Sequence, residues 1–131
     1  MKNIVVFMLL LVVTGGCATS YHPYTHSTGY EEVRLSDTTF GITYVAALST
    51  SFEQIKAYAL RRAAEITLEN GYTHFVVTKQ EQKDIRPSCD CKQVKAFVRR
   101  AVIIEVRCSS HGGPGAFDAR AYLEGLRRSN I

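Results

Sequence analysis

The stretch SFEQIKAYALRRAAEITLEN, residues 51–70, constrains the fold more than any other part of the chain. Its polar residues Gln54, Tyr58, Arg61, Arg62, Glu65 and Glu69 recur at helical spacing. Phe52, Ile55, Ala59, Ala63 and Ile66 fall on the opposite side, in an arc broadened by Ala57, Leu60, Ala64 and Leu68. Ser51 with Gln54, or Thr50 with Glu53, completes a capping box at the start. Gly71 stands where a left-handed C-cap is expected. The alanines in the apolar arc let such a helix lie close on a sheet.

The flanking segments change period from 3.6 to 2. Residues 32–35 alternate weakly, Ser36-Asp37-Thr38 reads as a turn, and residues 39–47 alternate again. In the second run Phe40, Ile42, Tyr44 and Ala46 share one face, with Thr39, Gly41 and Thr43 on the other. YTHFVVTK, residues 72–79, predicts a short strand, and residues 80–95 a polar loop holding Pro87, Cys89 and Cys91. Residues 96–108 form the clearest strand. The even positions Ala96, Val98, Val102, Ile104, Val106 and Cys108 are directed at the core, interrupted by Arg100. Residues 109–115, SSHGGPG, read as a joint, and Asp118 as the cap of a last helix to about residue 128 that buries Phe117, Tyr122 and Leu126. The order β-β-α-β-β-α predicts a small two-layer α+β domain over residues 30–131, one main helix packed on a largely antiparallel sheet.

The N-terminal region belongs to a different class. Met1-Lys2-Asn3 is followed by the apolar run IVVFMLLLVV, residues 4–13, and by the small or polar Thr14, Gly15 and Gly16. That pattern predicts a secretory signal peptide over residues 1–16. Its apolar run is well short of the roughly 20 residues a spanning helix needs. The hexapeptide VVTGGC resembles the lipobox of bacterial lipoproteins, with Thr14 where Leu, Val or Ile is usual. The resemblance implies lipidation on the sulfur of Cys17, which becomes the mature N-terminus. With Ala18 and not Asp after the cysteine, it implies the outer membrane, the domain facing the periplasm. Each buried acyl CH₂ stabilises membrane association by about 0.8 kcal/mol, so two or three chains anchor firmly. Residues 18–29, ATSYHPYTHSTG, read as a flexible tether of at most about 40 Å, with His22 and His26 as solvated tether residues.

Loss of residues 1–16 lowers the net charge from +4 to +3, because Lys2 is the only charged residue removed. So mild an excess does not indicate nucleic acid. With Cys17 acylated, Cys89, Cys91 and Cys108 remain for an oxidising compartment. A bridge between Cys108 and Cys89 or Cys91 closes a loop of about 17–19 residues, which contributes roughly 3 kcal/mol in the chain-entropy picture. A second reading is thiol exchange by the leftover cysteine, and a third is soft-metal binding by these thiolates with His111. Neither a Cys-x-x-Cys motif nor paired zinc-site spacing is present.

Arg61, Arg62, Glu65 and Glu69 read as a solvated helix face with i,i+3 and i,i+4 pairs. His74 has no catalytic companion in the sequence, and the glycines at 112, 113 and 115 lack a phosphate-loop lysine. No catalytic residues, cofactor, metal or small-molecule substrate are expected.

AYALRRAAEITLENGYTHFVV, residues 57–77, resembles a signature of small proteobacterial outer-membrane lipoproteins. Their helix has the form Tyr-x-Leu-x-Arg-Ala-Ala-Glu-x-Thr-Leu, followed by Gly-Tyr-x-x-Phe-Val-Val. Tyr58, Leu60, Arg62, Ala63, Ala64, Glu65, Thr67, Leu68, Gly71, Tyr72, Phe75, Val76 and Val77 match, and FDARAYLEGLR from Phe117 is similar to the group's ending. The resemblance supplies no catalytic residues to carry over. Together these features predict a lipid-anchored envelope protein with a non-enzymatic structural or protein-interaction role, its partners the membrane and an envelope protein. The alternative is a periplasmic thiol-redox or soft-metal-binding protein that uses Cys89, Cys91 and Cys108.

Overall fold

The computed structural model describes residues 20–25, 27–86 and 98–129. Strand β1 (Gly29–Arg34) and strand β2 (Thr39–Ala47) form an antiparallel hairpin. The Ser36 side chain closes its turn by accepting the amide of Thr39 at 3.1 Å. Helix α1 (Phe52–Glu69) follows, then strand β3 (His74–Ile85), strand β4 (Arg99–Ser109), the two-residue strand β5 (Phe117–Asp118) and helix α2 (Ala119–Arg128). All strands join one antiparallel sheet in the order β1-β2-β4-β3-β5. β2 and β3 therefore run parallel to each other, bridged by α1, and β4 fills the slot between them. This is the expected α+β architecture, with β5 as an added strand.

Capping sets the limits of α1. The Ser51 hydroxyl accepts the amide of Gln54 at 3.2 Å, so Ser51 is the N-cap and not Thr50. At the other end Gly71 adopts φ +79°, its amide bonds Leu68 O, and the amide of Tyr72 reaches back to Thr67 O at 2.9 Å. That 6→1 bond turns the chain directly into β3. Asp118 caps α2 in the same manner, accepting the amide of Ala121 at 2.9 Å.

One face of the sheet carries the core. Ile42, Tyr44 and Ala46 of β2 and Val102, Ile104 and Val106 of β4 are fully buried against Ile55, Ala59 and Ala63 of α1. Two of the facing α1 residues are alanine, which brings the helix backbone close to the strands. Arg100, the interruption in the even set of β4, lies at the edge of this layer. Its guanidinium stands 4.8 Å from the Phe52 ring centroid and 3.5 Å from Asp84. Phe117 stacks on Phe75 with centroids 5.1 Å apart, and Tyr122 meets Phe117 edge-on. These contacts seat α2 beside α1.

Two expectations change. Residues 80–85 extend β3, where a loop was expected, and every residue from Thr78 to Ile85 is exposed. Their polarity belongs to a strand that pairs with β4 on one side and has water on the other. The second change concerns the segment before β1.

Candidate functional site: an aromatic clamp on the N-terminal segment

Residues 20–25 do not hang free as a tether; they lie along the domain. Tyr24 N donates to Tyr30 O at 2.9 Å, Tyr30 N donates to His22 O at 3.0 Å, and Thr25 and Thr28 exchange backbone bonds across a tight turn. Gly29 makes the crossing possible. At φ +113° a Cβ there would sit 2.4 Å from the Pro23 carbonyl oxygen, so only glycine lets the two backbones approach. His22 turns into this loop, with Nδ1 2.7 Å from Pro23 O and Nε2 3.2 Å from the Thr28 hydroxyl. It fastens this loop locally while remaining partly exposed to solvent; His26 lies outside the described residues.

Tyr21 is the centre of the arrangement. Its ring stacks on Tyr30 at 5.1 Å and lies 5.8 Å from Tyr58 and 6.2 Å from Tyr44. Tyr44 and Tyr58 are themselves 5.0 Å apart. Strand β1 supplies Tyr30, β2 supplies Tyr44 and α1 supplies Tyr58, so the segment is gripped by three elements at once. Arg61 covers the Tyr21 ring at 4.0 Å, and Arg62 covers Tyr30 at 4.8 Å. The Tyr21 hydroxyl donates to Glu65 at 2.6 Å, and the Tyr44 hydroxyl donates to Ser20 O at 2.7 Å.

Charge is balanced around these rings. Arg62 grips Glu32 of β1 through two bonds of 2.6 and 2.8 Å. It also reaches Glu65 and Glu69, each at 3.1 Å, while Arg61 pairs with Glu65 at 3.3 Å. The Arg62 side chain is only 12 % exposed, so this network ties β1 to α1 more tightly than a surface pair would. Its hydrogen bonds to Glu32 hold the guanidinium charged. Burial, reinforced by the Glu65 hydrogen bond, keeps the Tyr21 hydroxyl protonated well above the ordinary tyrosine range. Burial pushes Tyr44 up to about 12. The i,i+3 and i,i+4 pairs expected on this helix face are present, but the face is covered by Tyr21 and is not simply solvated. The sequence signal for the clamp was available in the four tyrosines, yet they come from separate segments, and only the fold brings them together.

The cysteines are dispersed. Cys17, Cys89 and Cys91 lie outside the described residues. Cys108 is a free thiol buried on the core face of β4, with Sγ 3.4 Å from the Thr67 hydroxyl. Burial raises its pKa, which suppresses the reactive thiolate. The register pairs Cys108 with Phe75 and pairs Arg99 with Ile85, so the thiol sits at the opposite end of the β3–β4 pair from Ile85 and Arg99. Nine strand residues separate the two ends by about 30 Å. The expected bridge from Cys108 to Cys89 or Cys91, like the thiol-exchange and soft-metal readings, involves residues outside those described; Cys108 itself is a free thiol.

His74 acquires a neighbour that sequence order concealed. β5 places Asp118 opposite it, Nε2 to carboxylate 3.8 Å, and the Thr73 hydroxyl lies 2.7 Å from Nδ1. The other Asp118 oxygen is engaged in capping α2, so the group stabilises a strand–helix junction. Among the described residues no three His, Cys, Asp or Glu side chains are grouped to hold a metal ion. No helix of the described residues is long and apolar enough to cross a membrane. Comparison with protein-family models, curated proteins and solved structures finds no match to this chain.

Proposed function

We propose that this chain is a lipid-anchored protein of the bacterial outer membrane, with Cys17 as the acylated residue and residues 1–16 as its signal peptide. Its domain faces the periplasm in a non-enzymatic structural or interaction role, held to the membrane by its lipid and engaged with an envelope protein. One observation carries most weight on the structural side. The clamp fixes the chain from Ser20 onward, which leaves only Ala18 and Thr19 between the domain and the anchor. A segment so short, gripped by so many side chains, makes physical sense where the domain must be held close to a surface.

The resemblance to the small proteobacterial lipoproteins supports the same reading. Tyr58, Arg62 and Glu65, three of its polar positions, are all members of the clamp. Thr67 and Phe75 are buried, and Gly71 makes the helix stop. The test is the intact mass of protein extracted from the membranes of its native cells, with cysteine pairing mapped on the same sample. A mature chain that begins at Cys17 and carries fatty acyl mass is the expected result. A water-soluble, unacylated chain would remove the proposal. On the same map Cys108 is expected as a free thiol.

A further inference from the structure

The lipid anchor of the preceding section, taken with the clamp, restricts how the domain can sit on its membrane. From Ser20 back to Cys17 the chain reaches at most about 10 Å, less than even the radius of gyration of about 13 Å expected for a domain of this size. The side of the domain that bears Ser20 must therefore rest on the headgroups. That side is the helical layer. The Tyr21 ring packs on Arg61, and Arg61 with Glu65 forms one wall of a groove of about 270 Å³ whose other wall is Leu123, Leu126 and Arg127 of α2. One arginine side chain thus separates the anchored segment from α2.

Charge on α2 suits that position. Arg120, Arg127 and Arg128 are exposed, against Glu124 alone. The helix-free face of the sheet mixes both signs by contrast, with Glu31, Glu81 and Glu105 set against Lys79, Lys83, Arg99 and Arg107. We propose that the exposed side of α2, through Arg120, Arg127 and Arg128, docks on anionic lipid phosphates of the bilayer that holds Cys17. Each such charge near an anionic surface is worth roughly fivefold in the docked population, on the order of a hundredfold for the three. Leu123 and Leu126 line the adjacent groove and face the headgroup region.

The experiment supplies the anchor chemically, so it does not depend on whether cells acylate the protein. The chain from Cys17 onward, with Cys89 and Cys91 changed to serine, is coupled at Cys17 to a maleimide lipid in nanodiscs containing phosphatidylglycerol and a trace of gadolinium-headgroup lipid. Relaxation enhancement of backbone amides then maps proximity to the surface. Residues of α2 are expected to relax most and β3 from Lys79 to Ile85 least. Arg120→Gln with Arg127→Gln and Arg128→Gln, or exchange of phosphatidylglycerol for phosphatidylcholine, should flatten that contrast. Uniform enhancement over all amides, or strongest enhancement on the helix-free face, would overturn the proposal. So would lipid-independent protection of α2 that grows with protein concentration, which would assign this surface to a second copy of the chain. Acylation in cells is read separately from intact mass, so the two ideas fail independently.

Discussion

The two edges of the sheet solve one problem in different ways. A sheet edge offers unpaired amides and carbonyls to any passing strand. At the β1 edge the chain uses itself: the segment from Ser20 folds back, bonds Tyr30 on both sides and is locked by stacked tyrosines and two arginines. At the β3 edge only His74 and Phe75 are covered, by β5, and the remainder, TKQEQKDI, relies on polar and charged side chains kept in water. The covered edge is a built site whose removal costs stability. The charged edge is expected to contribute little to stability and to discourage association with another strand. The difference teaches that the residues before β1 are part of the domain.

Four single substitutions and one triple replacement probe that contrast. Gly29→Val should have the largest effect, because the left-handed φ and the overlap with the Pro23 carbonyl together cost about 3 kcal/mol. Chemical denaturation should show that loss, with the amide of Tyr24 becoming freely exchangeable. Tyr21→Ala removes the central ring and should cost ~2 kcal/mol in the same measurement, for a half-buried aromatic side chain. Arg62→Ala leaves Glu32, Glu65 and Glu69 facing one another, at a cost of roughly 1.5 kcal/mol, between the values for exposed and buried pairs. At the other edge, Glu81→Ala should change stability by less than about 0.5 kcal/mol. Replacing Lys79, Glu81 and Lys83 together by valine should leave the monomer's stability nearly as it was yet shift it to larger species on gel filtration.

The clamp also has a pH signature. Folding raises the pKa of Tyr21 and Tyr44 above the ordinary 10.0, so the folded chain keeps protons that the unfolded chain sheds. Their contribution to stability is complete below pH 10 and is lost as pH rises toward 12 and beyond. Tyrosine absorbance near alkaline pH should show three late-ionising rings, Tyr21 and Tyr44 of the clamp and the half-buried Tyr122 of α2, and Tyr21→Phe should remove one of them while weakening the alkaline loss of stability.

Local rules were legible in the sequence wherever the cause of structure is itself local. The caps at Ser51 and Asp118, the glycine stop after α1 and the inward sets of β2 and β4 all depend on neighbours within a few residues. What escaped has long-range causes. Residues 80–85 carry no apolar period, because that half of β3 has no layer against it, so polarity there looks like a loop. Thr67 reads as polar yet is fully buried, its hydroxyl satisfied by Ala63 O at 2.7 Å. Tyr21 sits in a stretch of Thr, Ser, His and Tyr without period, and its partners lie 9 to 44 residues away. Cys108, read from the alternation as facing the core, is buried there with its Sγ beside the Thr67 hydroxyl, a neighbour 41 residues away that sequence order concealed.

Whether the N-terminal segment is part of the folded domain is measured most directly by amide hydrogen exchange on the chain from Cys17 onward. The amides of Tyr24 and Tyr30 should be protected far beyond free-chain rates and should lose that protection together in Tyr21→Ala. Exchange of both at free-chain rates in the unsubstituted protein, with the amides of β2 and β4 still protected, would place the segment outside the fold.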